Sequence, residues 1–111
     1  MDETRLPARL EVSGMIRATE SHGGFGTVLH KGEPDAGTIL VVIEDKQGLG
    51  VLYERMPQLD GRRKWTQIKV QDPDNKGEFQ DYLDRRKRQD SDVWIVELIV
   101  AEGERLILNG G

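Results

Sequence analysis

Five consecutive apolar residues, Ile39-Leu40-Val41-Val42-Ile43, set the tightest limit on what this chain can fold into. Four of the five are β-branched, which favours a strand. A strand with no polar position offers no face to water, so both of its faces require cover. The run is the longest apolar stretch in the interior, and it is far short of the ~20 residues that a membrane helix needs. With 111 residues, the chain is expected to form one domain around one modest core.

The flanking sequence supplies the other elements. Pro7 suits the first turn of a helix. Val12, Met15, Ile16 and Thr19 then follow the spacing of one helical face, although Leu10 falls off it and leaves 8–12 open to an extended reading. Gly23 and Gly24 stop that helix. Phe25–Lys31 and Thr38–Glu44 read as strands, and the Pro34-Asp35 segment bracketed by Gly32 and Gly37 reads as their hairpin connection. Gln47-Gly48 turns the chain into Leu49–Arg55, and Asp60-Gly61 turns it into Lys64–Val70. In that last strand Thr66, Ile68 and Val70 share one face while Trp65, Gln67 and Lys69 share the other. Asp74 or Asn75 caps a second helix over 75–88 with a stripe of Phe79, Tyr82 and Leu83. Val93–Val100 is a long strand with Trp94, Val96 and Leu98 on one face, and Leu106, Ile107 and Leu108 form a short final strand.

This order, α-β-β-β-β-α-β-β, predicts an α+β domain: a mainly antiparallel sheet of five to six strands with two helices on one face. Parallel βαβ units are not expected, because the connections among the first four strands are too short for crossover helices.

Several chemistries are excluded or weakened. The chain has no cysteine, which removes disulfides, thiolate metal sites and cysteine nucleophiles. No apolar stretch follows Met1-Asp2-Glu3, so no secretory signal is read and a cytoplasmic address is expected. His22-Gly23-Gly24-Phe25-Gly26-Thr27 has the glycines of a phosphate loop, but they follow a helix instead of preceding one. Asp72-Pro73-Asp74-Asn75-Lys76-Gly77 opens like a calcium loop and then places Lys76 and Leu83 where oxygen ligands are required. His22 and His30 are the only histidines, and no serine sits in a nucleophile elbow. No catalytic set, metal site or cofactor motif is therefore expected.

Two candidate sites are left. Glu97 interrupts an apolar strand, and a carboxylate there requires a partner or a solvent path. A small-ligand site or an enzyme's active site would combine Glu97 with arginines such as Arg55, Arg62 or Arg85. Nucleic acid would instead meet Arg62-Arg63-Lys64 beside Trp65, where cations adjoin an aromatic ring, and the run 85–88. The balance of 16 Lys+Arg against 20 Asp+Glu, a net charge of -4, argues against nucleic acid. The cations at 85–88 also suit a helix end, with Asp81–Arg85 and Asp84–Arg88 at pairing distance in sequence. The closing Gly110-Gly111 is a feature of ubiquitin-like sulfur carriers, but the leading helix and two strands have no place in so small a fold.

Several segments together resemble a known family. Gly23-Gly24-Phe25-x-Thr27-Val28-Leu29, Lys31-Gly32-x-Pro34-Asp35-Ala36-Gly37, Tyr82-Leu83-x-Arg85 and Asp90-x-Asp92-x-Trp94-x-Val96-Glu97 are similar to a family of short alphaproteobacterial proteins known only as a domain of unknown function. Leu6-Pro7-x-Arg9 fits as well, whereas Glu11 stands where an aromatic residue is common. The resemblance implies a bacterial, cytoplasmic, single-domain protein and brings no activity, cofactor or site residue. The expected role is a non-enzymatic protein-binding or adaptor domain with a protein partner or a second copy, since an open antiparallel sheet associates through an edge or a face.

Overall fold

A computed structural model describes residues 6–45 and 47–108. It contains eight elements in chain order: α1 (Ala8–Ser21), β1 (Phe25–His30), β2 (Ile39–Glu44), β3 (Gly50–Pro57), β4 (Arg63–Val70), α2 (Lys76–Gln89), β5 (Trp94–Ile99) and α3 (Glu104–Leu108). The class is the α+β domain that the sequence predicts. Residues 8–12 are helical, with Pro7 at the N-cap.

The apolar run forms β2, buried along Ile39–Ile43. Two tight turns extend it into a meander. The Asp45 carboxylate accepts the amides of Gln47 and Leu49, and Gly48 takes a left-handed φ of 80° that only glycine adopts cheaply. Gly61, at φ 84°, does the same between β3 and β4. The other side of β2 departs from expectation. Strand order is β1-β5-β2-β3-β4, so β5 lies between β1 and β2. The expected hairpin between the first two strands does not exist.

The reason is in the loop 31–38. Its Glu33 amide donates to the Asp92 carbonyl at 2.9 Å, and the Trp94 indole N–H donates to the Glu33 carbonyl at 2.7 Å. A Cβ at Gly32 or Gly37 would collide with the Asp92 carbonyl. The loop therefore straddles the entry to β5, spanning the ~10 Å that two strand spacings require. His30 closes the same corner: half-buried, its Nδ1–H donates to the Val93 carbonyl at 2.7 Å. Three of the four strand pairings are antiparallel, and β2–β5 is parallel. The sheet is mixed, its parallel pair joined through β3, β4 and α2.

Helices cover both faces, correcting the one-face expectation and honouring the demand of β2. On one side α1 and α3 place Ala8, Val12 and Ile107 over Ile39, Val41, Ile43, Val96 and Leu98. On the other α2 places Phe79 and Leu83 over Leu40, Val42, Leu52 and Ile95. Burying each such large side chain contributes roughly 1.5–3 kcal/mol. The expected final strand is α3. Gly103 approaches Ile43 so closely that a Cβ would overlap it, which folds the chain back across the sheet face, and Ile107 fills the remaining gap there.

A bulge in β4 alters another expectation. Tyr53 opposes Gln67 and Leu52 opposes Lys69, leaving Ile68 unpaired. The extra residue reverses the facing of the two residues after it. Lys69 joins Ile68 under α2, where it meets Glu78 at 2.8 Å, and Val70 passes to the Val51 side.

Candidate functional site

Glu97 sits on the α2 face of β5, between Thr27 of β1 and Val42 of β2. It is half-buried and lines a groove of about 220 Å³ with Leu29, Val42, Phe79, Leu83 and Glu44. The groove, not a buried partner, gives the carboxylate its route to water. No described arginine lines it.

The arginines grouped with Glu97 on sequence grounds lie elsewhere. Arg55 is on the opposite face, where its guanidinium forms a two-pronged pair with Glu11 of α1 at 2.7 and 2.9 Å. The same guanidinium lies 4.9 Å from the centre of the Trp65 ring. Arg62 is exposed in the β3–β4 turn. Arg85 projects from α2 with its guanidinium 5.9 Å from the Tyr82 ring. The structure therefore does not assemble Glu97, Arg55, Arg62 and Arg85 into one cluster.

The basic runs are divided as well. Arg62, Arg63 and Lys64 are exposed, but Trp65 is buried at 8% exposure under Arg55, so its ring offers no face to a base. In the helical run, Arg86 reaches Glu54 of β3 with bonds of 2.9 and 3.2 Å and the Tyr82 hydroxyl at 3.2 Å. Those bonds to Glu54 hold the Arg86 pKa above its usual value, against the opposing effect of burial. Asp84 pairs with Lys87 at 3.2 Å, three residues on. This replaces the expected Asp84–Arg88 contact, and no Asp81–Arg85 bridge forms among the described residues. Hydrogen bonds from Gln80 and Lys87 lower the Asp84 pKa.

Other sequence features have local duties. Gly23, at φ 90°, and the Gly24 amide, bonded to the Thr19 carbonyl at 3.0 Å, end α1. Asp72 accepts the Asp74 amide at 2.9 Å, and Asn75 is the N-cap of α2 without a side-chain capping bond. Glu33, Asp35 and Asp92 border a shallow acidic depression. There Glu33 accepts the amides of Asp35 and Ala36, and Asp35 pairs with Arg9 at 2.7 Å. Gly110-Gly111 lies outside the described residues.

The most open surface of the sheet is β1. It is an edge strand, paired only with β5 among the described elements. None of its six residues carries a permanent charge, and Phe25, Val28 and Leu29 are 55%, 39% and 47% exposed. A bulge against β5, between Val28 and His30, leaves Leu29 unpaired in the ladder. Natural edge strands are usually protected by charges or cover. This one carries no charge, and α1 covers only its face away from α2, where Ile16 lies against Gly26. The sequence did not mark this strand as an edge, because uncharged alternation looks the same in an edge strand and a central one.

This arrangement defines a small α+β domain with helices on both faces of a mixed five-stranded sheet and an uncharged edge. The chain belongs to the DUF1491 family of proteins of unknown function, whose profile matches residues 6–108. It is similar to a DUF1491 protein from Caulobacter crescentus. The crystal structure is 31% identical, covering 86% of this chain and 88% of that one, with a TM-score of 0.73. An NMR structure of a DUF1491 protein from the same organism is 30% identical over 95% and 94% of the two chains, with a TM-score of 0.74. The solution structure of protein Atu0922 from A. tumefaciens is also 30% identical over 95% and 94%, with a TM-score of 0.75. No curated protein matches the chain. Among the described residues no helix is long and apolar enough to cross a membrane.

Proposed function

We propose that the protein is a small binding or adaptor module whose association runs through β1, and that its occupant there is a second copy of the chain. The uncharged edge, exposed at Phe25, Val28 and Leu29, carries this reading. Antiparallel pairing of β1 about a two-fold at Thr27 sets Phe25 against Leu29 and Gly26 against Val28, so no like charges meet. That matters for a chain with a net charge of -4. Phe25 and Leu29 lie on the α2 side of the sheet and add apolar contact beside the new ladder. A single six-residue edge falls at the low end of specific interface sizes, so the pairing is expected to be of micromolar strength.

A cytoplasmic setting in a bacterial cell is part of the proposal, and the solved relatives from Caulobacter and Agrobacterium support its bacterial half. Sedimentation velocity over a micromolar concentration series tests the pairing. The wild type should show a dimer, and Leu29→Lys and Thr27→Lys should move it to monomer with unchanged far-ultraviolet circular dichroism. A wild type that stays monomeric throughout, or a dimer untouched by either lysine, defeats the proposal.

A further inference from the structure

A pocket of about 360 Å³ opens on the α1–α3 side of the sheet, at the far end from the loop 31–38. Ile43, Val51 and Val70 form apolar walls, while Tyr53, Gln67 and Glu104 bring polar groups to it. Its volume falls in the range of small-molecule sites, as does its mix of apolar wall and few polar groups.

Tyr53 is the unusual member. Its side chain is only 8% exposed, yet its hydroxyl has no hydrogen-bond partner among the described residues. Nor is that hydroxyl sealed from solvent, since no fully buried polar atom lacks a partner among the described residues. It therefore opens into the pocket. A buried phenol ordinarily finds a partner.

The charge facing that hydroxyl is negative. Burial first, and the charge of Glu104 second, raise the Tyr53 pKa above 10.0. Glu104 forms no ion pair among the described residues, and no described lysine or arginine lines the pocket. Of the other carboxylates at the pocket, Asp45 holds the amides of its own turn and Glu102 pairs with Arg105 at 3.3 Å, while Glu44 has no ion pair among the described residues and adds to the negative charge. Glu102 also holds the only left-handed φ among the described non-glycine residues, 54°. Such strain, ~1–3 kcal/mol, gathers at ligand clamps, and here it shapes the pocket lip.

We propose that this pocket binds a primary ammonium group on a short apolar stem, with the cation between the Tyr53 hydroxyl and Glu104 and the stem against Ile43, Val51 and Val70. An ammonium has three donors and no acceptor, which matches one carboxylate and one phenol oxygen. An anion would meet uncompensated negative charge.

Titration of the ¹⁵N-labelled protein with n-hexylamine, followed by amide chemical shifts, tests the site. Saturable shifts are expected at Tyr53, Gln67, Val70 and Glu104. Glu104→Gln and Tyr53→Phe should each weaken binding about tenfold, the usual effect of losing a hydrogen bond to a charged group. n-Hexanol and hexanoate should bind far more weakly. A capped lysine amide is titrated in parallel: affinity equal to hexylamine assigns the pocket to lysine side chains, weaker affinity assigns it to free amines, and both uphold the ammonium site. Shifts that do not localise here, equal binding of hexanol, or unchanged affinity in E104Q would overturn it.

Discussion

Replacing Arg86 by methionine keeps the apolar stem of the side chain and removes its charge and donors. The guanidinium joins α2 to β3 through two bonds to Glu54 and one to the Tyr82 hydroxyl. Side-chain exposure is 21% for Arg86 and 19% for Glu54, which places the pair between two measured regimes. Exposed pairs contribute ~0–1 kcal/mol, whereas breaking a fully buried one costs ~3–5 kcal/mol. With about four-fifths of each side chain removed from water, the loss should be about 2 kcal/mol, discounted from the buried value for residual screening. For a domain of this size that lowers the melting temperature by about 8 °C.

Urea unfolding followed by tryptophan fluorescence gives the free energy, and calorimetry gives the temperature. The cost should fall well below this in a Glu54→Gln background, because the penalty lies in stranding the carboxylate. Arg86 is held protonated beyond its ordinary range. Its contribution is complete below the unfolded-state value and is lost only as pH rises through the higher folded one. It should therefore be constant across neutral and mildly alkaline pH. A loss below ~0.5 kcal/mol, or the same loss with and without Glu54, would refute this reasoning.

Local geometry sets the other expectations. Gly14 lies within α1 with open space around its Cα, so Gly14→Ala should stabilise by ~0.5–1 kcal/mol in the same urea assay. Gly32→Ala should instead cost more than ~2 kcal/mol, because the Asp92 backbone has no room to retreat from the new Cβ. The Tyr53 phenol should titrate above 10.0 by ultraviolet absorbance, and Glu104→Gln should lower its midpoint. Since the folded value is the raised one, its stabilisation is present below the unfolded tyrosine value and lost as pH climbs past the folded one. Tyr53→Phe should flatten alkaline unfolding.

The elements themselves are legible because their signals are local. The β-branched run, the Asp-Gly turn before β4 and the glycine stop after α1 each act within a few residues. Pairing over distance leaves no such mark. Pro34-Asp35 between glycines reads as a hairpin, and only the contact with Asp92 and Trp94 shows that the glycines make room for a third strand. Leu106-Ile107-Leu108 carries strand propensity, yet the uncovered patch beside Ile43 calls for a helical turn. Glu97 stands out in the sequence as an interruption, but which face an arginine occupies depends on register, and Arg55 faces the other way. Tyr53 gives no signal, since a tyrosine alternating along a strand looks like ordinary core until its hydroxyl is seen without a partner among the described residues. Glu11 registers in the sequence only as a departure from an aromatic, and its pairing with Arg55 over Trp65 supplies a polar substitute there.

The central position of β5 has a consequence for how the molecule is made. The last strand to leave a ribosome is the one on which β1 depends for its whole ladder and β2 for half of its own. Until residues 94–99 emerge, the nascent chain holds two incomplete edges and a layer of uncovered aliphatic surface. Assembly is thus an insertion, slow relative to a sequential meander because its contacts span most of the chain. A cut between α2 and β5 would leave neither fragment able to rebuild the sheet alone.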